Sequence, residues 1–418
     1  MSNVLHFVPL GDLVTLQTDK VFANKDPSLP YIGLEHIAQG SPKLLGVAES
    51  SSSSSTNSVF AENDILFGKL RPNLRKSVRA RFAGYCSTDI LVLRCLAGVA
   101  PSFAEHVFQW EQVFAAGSAT AGGTKMPRTS WNDLKRFAVF RPSTTAEQTR
   151  IAAVLDTVDE AIAKAEAVIA KLKQVRAGLL HDLLTRGLDE HGQLRDPIAH
   201  PEQFRDSPLG PVPKEWEVRT CQSLCREIVV GIVVKPAQYY VNEGVAVLRS
   251  ANVREEGIQL DDLVFISHES NALLAKSKLY TDDLVTIRSG YPGATSAVPS
   301  GLNGSNCIDL IVSRPGKEVV PNFLAIWINS SFGKDQILRV QGGLAQQHFN
   351  VGEMKRVLVA KPPTDEQRAI VDRVDQLDQL LRTDKEHLAK LSLLKSGLMT
   401  DLLTGRVRVP STLVLAAE

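Results

Sequence analysis

The chain has little of the material from which disulfide frameworks, metal centres or membrane spans are made. Its 418 residues include five cysteines, Cys86, Cys95, Cys221, Cys225 and Cys307, with no Cys-x-x-Cys pair and no histidine at zinc-like spacing. An odd, sparse set of this kind is expected to be reduced cytosolic thiols. No stretch of about 18 apolar residues occurs, and the N-terminus has no basic segment followed by an apolar one, so a soluble cytoplasmic protein without membrane attachment is expected. There is no Gly-x-x-x-x-Gly-Lys-Ser/Thr phosphate loop. His36, His181, His268 and His348 are scattered, and their order supports no Ser/His/Asp arrangement. The formal net charge of +1 gives no overall basicity, so only the local distribution of charge can point to a polyanionic partner. With 44% hydrophobic and 22% charged residues, the chain has the composition of an ordinary globular protein long enough for two or three domains.

What the chain does have is one long periodic segment, written twice. From Thr145 to Thr185, apolar residues recur at steps of four and three: Ile151, Leu155, Val158, Ile162, Ala165, Ile169, Leu172, then Arg176, Leu179 and Leu183. That is a heptad seam. From Thr364 to Thr404 the same steps give Ile370, Val374, Leu377, Leu381, Asp384, Leu388, Leu391, then Lys395, Leu398 and Leu402. Glu147-Gln148 recurs as Glu366-Gln367, and Asp182-Leu183-Leu184-Thr185 as Asp401-Leu402-Leu403-Thr404, each 219 positions later. The alignment needs no gap, which marks an internal duplication. Thr145 with Gln148, and Thr364 with Gln367, fit capping boxes, with Pro142 and Pro362-Pro363 just outside. About 40 proline-free residues at about 1.5 Å each predict rods on the order of 60 Å. A long apolar stripe needs a partner, and the nearest with a matching seam is the other copy. The polar breaks coincide, Arg176 with Lys395 and Ala165 with Asp384, which suits fixing register.

The duplication extends beyond the rods. Residues 1–143 read as a mixed α/β or β-rich domain, and residues 188–361 as a polar, proline-containing linker followed by a second such domain from near Trp216. Gly187 is expected to end the first helix, and Ser50 to Ser55 to form a mobile loop tip. In the first domain a buried strand, Asp64 to Phe67, leads into a turn where Lys69, Arg71, Arg75, Lys76, Arg79 and Arg81 fall within thirteen residues. By itself such a run is most simply a solvated face, though it is dense enough to neutralise phosphates or reach base edges. Gly122-Gly123-Thr124-Lys125 then offers close backbone approach and donors, or an ordinary tight turn. In the second domain, Asp283 to Gly290 falls 219 positions after the first basic strand and turn, and Gln341-Gly342-Gly343-Leu344-Ala345-Gln346-Gln347-His348 takes the place of the glycine loop. The globular halves match less well than the helices, as expected of one task performed on two different targets.

This order of globular domain, long helix, globular domain, long helix, with Glu-Gln at each helix start and Asp-Leu-Leu-Thr at each end, resembles the specificity subunit of type I restriction-modification systems. Asp64 to Pro72 with Cys86-Ser87-Thr88-Asp89, Gly210 to Trp216, and Ile287-Arg288-Ser289-Gly290 carry the resemblance further, over nearly the whole chain. It implies an α/β (α+β) protein with an internal pseudo-twofold repeat: target-recognition domains at 1–143 and 188–361, spacer helices at 144–187 and 362–406 forming an antiparallel coiled coil, and a tail at 407–418. It implies that each domain reads half of a split, asymmetric site in double-stranded DNA. It further implies docking of two methyltransferase subunits and of restriction subunits. S-adenosylmethionine, ATP and magnesium would then act on those partners, with no cofactor, metal or catalytic residue on this chain. A rod of about 60 Å is long enough to separate two readers about one DNA turn, roughly 34 Å, apart.

On this reading the DNA contacts are expected from Lys69, Arg71, Asn73, Arg75, Lys76, Thr124, Lys125 and Arg128 in the first domain, and from Arg288, Ser289, Tyr291, Gln346, Gln347 and His348 in the second. Arg and Lys suit guanine, Asn and Gln adenine. The helix-pair seam is expected at Ile151, Leu155, Val158, Ile162, Ile169, Leu172 and Leu179, against Ile370, Val374, Leu377, Leu381, Leu388, Leu391 and Leu398. Two rivals stand beside it. One is a coiled-coil scaffold with two interaction domains and no DNA readout. The other is a self-contained DNA-modifying enzyme, for which the only Pro-Pro, Pro362-Pro363, lacks the flanking residues of an Asn/Asp-Pro-Pro-Tyr/Phe tetrapeptide.

Overall fold

The computed structural model describes residues 6–22, 26–123, 125–234, 236–340, 349–410 and 412. Two helices dominate it, Thr145–Thr185 and Thr364–Leu403, of 41 and 40 residues. The heptad seam is the face they bury. Ile151, Leu155, Val158, Ile169, Ile370, Val374 and Leu381 are buried, and Ile162, Leu172, Leu179, Leu377, Leu388, Leu391 and Leu398 are half-buried, while the residues between them are mostly exposed. Among the described residues no helix is long and apolar enough to cross a membrane.

Compactness divides the chain across both helices. One unit is Met1–Ala167 with Glu386–Glu418, the other Val168–Lys385. Each unit therefore holds one globular segment, the near half of one helix and the far half of the other.

In the first unit a four-stranded antiparallel sheet has Ile90–Cys95 at its centre, paired with Val14–Gln17 on one side and with Ile65–Gly68 on the other, and Ser77–Arg79 lies beyond the latter. The second unit repeats the pattern. Leu310–Pro315 lies between Cys225–Val230 and Leu284–Ile287, with Thr295–Ala297 outside. Each unit adds a second sheet containing one parallel pair, Pro30–Ile32 with Gly84–Ser87 and Val245–Leu248 with Asn306–Cys307. The repetition reaches single residues. Buried Asp64 takes Arg94 through two bonds of 2.8 Å, and buried Asp283 contacts Arg314 at 3.5 Å in the same place. Asn63 and Asp282, just before them, are both left-handed, at φ 69° and 70°.

The helix halves join their units through apolar cores. Ile151, Leu155, Met399, Leu402 and Leu403 pack with Phe67, Phe103 and Phe108 in the first unit; Leu183, Leu184, Ile370 and Val374 pack with Trp216, Phe323 and Trp327 in the second. Within each unit the two halves run antiparallel. Asp159 bonds Lys395 at 2.5 Å while Glu147, nearer the start of its helix, bonds Arg408 beyond the end of the other. In the second unit Arg176 bonds Asp378 through its Nε and Nη2, while Glu366 bonds Arg195. Asp159 and Lys395 are 219 positions from Asp378 and Arg176. The breaks at Arg176 and Lys395 thus form the same cross-helix bridge twice, with acid and base exchanged between copies.

Two local expectations are corrected. Gln148 does not return to its own helix start. Its Oε1 accepts from the Ala100 backbone at 2.8 Å and its Nε2 donates to the Gly98 and Pro142 carbonyls, both at 3.2 Å. Gln367 does the same with Val320, Glu318 and Pro362. These buried amides satisfy backbone groups of the globular segment, while Thr144 caps the first helix by accepting from Glu147. The serine run, expected to be mobile, forms a short turn over Ser50–Ser52 in which Ser50 is buried and Ser52 Oγ donates to the Glu49 carbonyl at 2.6 Å, because serine hydroxyls satisfy nearby backbone. The linker after Gly187 is tied down as well. Leu188 donates to Glu366 at 2.7 Å, and Arg373 donates to the Gly192 carbonyl at 2.7 Å. Gly187 itself has φ +63°, and a Cβ there would collide with Glu366 and Trp216, so glycine is required.

Candidate nucleic-acid interface

In the first unit all four residues of the strand Ile65–Gly68 are buried, so the chain first reaches polar surroundings at Lys69. There it meets the glycine loop. The Lys69 carbonyl accepts from Thr129 at 3.0 Å, Arg71 donates its backbone N–H to Pro127 at 2.7 Å, and Gly122 and Arg128 exchange backbone bonds of 3.1 and 3.0 Å. Arg71 is left-handed at φ 50°, and its Nη2 lies 3.4 Å from the Lys125 carbonyl. Lys69, Arg71, Lys125 and Arg128 are thereby gathered from two segments more than fifty residues apart in sequence, with Asn73 exposed beside them.

The rest of the basic run is directed elsewhere. Arg75, also left-handed, stands 3.9 Å from Glu111 and lines a cleft of about 330 Å³ with Trp110, Asp159 and Lys395. Lys76 donates to the Leu34 carbonyl at 2.6 Å. Arg79 and Arg81 both bond Glu105, at 2.9 and 3.2 Å, a buried carboxyl whose pKa burial raises despite Arg79. The charge density read along the chain is thus divided in space, because alternate residues at the end of the run turn inward to a buried acid.

Arg128 is held by a residue that sequence reasoning does not single out as a contact. Its Nε and Nη2 bond the two oxygens of Asp89 at 2.9 and 3.2 Å, and this hydrogen bonding raises the guanidinium pKa above its ordinary value. In the second unit the buried strand Leu284–Ile287 delivers Arg288 to the equivalent place. The Arg288 carbonyl accepts from Phe349 at 3.0 Å, its Nε donates to the Phe349 carbonyl at 3.2 Å, and its Nη1 bonds Asp309 at 2.6 Å. Asp89 and Asp309 lie 220 positions apart, as do Thr129 and Phe349. That recurrence is the signal in the sequence that could have found them. Ser289 and exposed Tyr291 line an open cleft of about 640 Å³ with Ser250 and Arg254. The Tyr291 hydroxyl bonds Glu255 at 3.2 Å, and Lys334 stands 6.0 Å over its ring. Thr124, Gln346, Gln347 and His348 lie outside the described residues. Among those described, no group of three or more His, Cys, Asp or Glu is placed to hold a metal ion.

A duplicated fold that ends a buried strand, once per unit, in a braced polar loop cluster defines a class of protein that carries one arrangement twice. Comparison with known families makes this specific: residues 213–393 match the model of the type I restriction modification DNA specificity domain. The putative type I restriction enzyme MjaX specificity subunit of Methanocaldococcus jannaschii is 26% identical over 268 residues, 63% of this chain and 58% of that protein. The type I restriction enzyme EcoBI specificity subunit of Escherichia coli is 25% identical over 276 residues, 63% of this chain and 57% of that protein. The matched stretch thus spans less than two thirds of either relative. The fold is shared more widely. A chain from a structural study of complex assembly and conformational transition of the type I R-M system superposes with a TM-score of 0.61 at 19% identity, covering 97% of this chain and 99% of that one. The type I restriction-modification S subunit from M. genitalium gives 0.57 at 17% identity, covering 96% and 97%.

Proposed function

We propose that this chain is the DNA-specificity component of a type I restriction-modification complex, in which each globular domain reads one half of a split, asymmetric site in double-stranded DNA. The observation that carries the reading is the repetition of one arrangement, a buried strand opening into a loop cluster in which an aspartate holds an arginine, on two domains whose surrounding loops differ. Equal scaffolds with unequal loops suit the reading of two different sequences. Methyl transfer and cleavage, with S-adenosylmethionine, ATP and magnesium, belong on this reading to two methyltransferase subunits and to restriction subunits in the cytoplasm. This chain contributes recognition and geometry.

Lys69, Arg71, Lys125 and Arg128 are the first domain's contribution, and Arg288, Ser289 and Tyr291 the second's. Cations that neutralise phosphates release counterions from DNA, so affinity falls linearly in log–log form with salt. The test is a DNA titration of the chain purified with its methyltransferase, over a range of salt concentrations. Replacing Arg71 and Lys125 by alanine is expected to weaken binding to all sequences and to flatten the salt slope by about one for each phosphate no longer neutralised. Absence of any salt-dependent DNA binding by the wild-type complex would leave the scaffold reading in its place.

A further inference from the structure

We propose that Asp89 and Asp309 are positioning residues for sequence readout: each holds one arginine, Arg128 in the first unit and Arg288 in the second, in the pose from which it addresses a guanine of its own half-site. This rests on the DNA-reading function proposed above and adds to it the residue on which each half's discrimination depends.

The chemistry of the loops carries the inference. A carboxylate among Lys69, Arg71, Lys125 and Arg128 opposes phosphate binding, so non-specific affinity gives no reason for its presence. What it does is fix a guanidinium. Asp89 takes Arg128 side-on through Nε and Nη2, at 2.9 and 3.2 Å, and among the described residues its remaining polar contact is Nη1 to the Met126 carbonyl at 3.4 Å. Side-on pairing leaves the end edge of the guanidinium, where Nη1 and Nη2 together supply the paired donors that guanine O6 and N7 accept. Arg288 is held at Nη1 by Asp309 and at Nε by the Phe349 carbonyl. A fixed arginine loses less side-chain entropy on binding a base than a free one.

The duplication supplies a second argument. Asp89 and Asp309 each stand directly before the central strand of their sheet, Ile90–Cys95 and Leu310–Pro315, and so are anchored to the core. Their arginines come from different loops, Arg128 from the glycine loop and Arg288 from the end of the buried strand. The acid keeps its place while the arginine it holds is recruited from elsewhere. A brace for a variable reader needs that arrangement, whereas a bond that merely closes one particular loop would not recur with a different one.

The experiment uses the full chain co-expressed with its methyltransferase in a methylation-free host, with modified bases read across the host DNA. If the wild-type complex modifies no split motif, the DNA-reading function itself fails and the brace falls with it. Given a split motif, Asp89→Asn is expected to relax one base-pair position in one half, raising modification of sites altered there on the order of tenfold or more. The other half and the spacer stay unchanged. Arg128→Lys is expected to relax the same position, and the double variant no other. Asp309→Asn and Arg288→Lys are expected to behave alike in the other half. Three results overturn the proposal: an unchanged motif in the aspartate variants, a uniform loss of modification at all sites, or relaxation by Asp89→Asn and Arg128→Lys at different positions.

Discussion

Glu366 shows how a single side chain can fasten a long helix to a domain. Its carboxylate accepts from the Leu188 backbone at 2.7 Å, from Arg195 Nη1 at 2.6 Å and from the Trp216 indole at 3.1 Å. The Arg195 and Glu366 side chains are only 9% and 8% exposed, so removing one partner strands the other in a poorly solvated site. Arg195→Ala is therefore expected to destabilise the second unit by about 3 kcal/mol, and the pair Arg195→Leu with Glu366→Gln by clearly less. Urea denaturation with hydrogen exchange at the Leu188 amide checks both, and a cost under about 1 kcal/mol for Arg195→Ala would contradict the assignment. None of this is legible in the sequence beyond the recurrence of Glu-Gln. Rules of local spacing assign glutamine at that position to a cap, whereas its real partners, Ala100 for Gln148 and Val320 for Gln367, lie some fifty residues away. Asp89 lies in one of the stretches that carry the resemblance, but the arginine it holds is 39 residues away in sequence, so the pair shows only in the fold.

At the scale of elements, the two helices are the most legible part of the chain. Their seam has a period that only one structure satisfies, and forty residues carry enough repeats to show it. Short strands carry no such signal. Ile65–Gly68 and Leu284–Ile287 are four-residue apolar runs, and their pairing partners are set by contacts distant in sequence. The polar breaks at Arg176 and Lys395 are visible in the heptad pattern but their partners are not, because each is answered by an aspartate outside the seam positions, Asp378 and Asp159. Such bridges favour one register of the helix halves over its neighbours. Inserting one heptad into both helices lengthens each by about 10 Å while keeping the seam on its face. On the proposed function this is expected to lengthen the preferred spacer between half-sites by roughly three base pairs. An unchanged spacer in the modified motif would show that helix length does not set it.

At the scale of the whole molecule, the defining property is that one plan is carried out twice. Sheet order, the left-handed residue before a buried aspartate, the glutamine tethers, the cross-helix bridges and the arginine-holding aspartate all recur at steps of 219 or 220 positions. The loops around them do not recur, so the repeat separates what holds the fold from what faces a target. On the proposed function, split DNA recognition gives such an arrangement its two targets. The most direct test is to express this chain with its methyltransferase in a host free of other DNA methylation and to map every modified base. Modification at one split motif, two short half-sites joined by a spacer of fixed length, is the expected result. A single continuous motif would contradict the two-reader account.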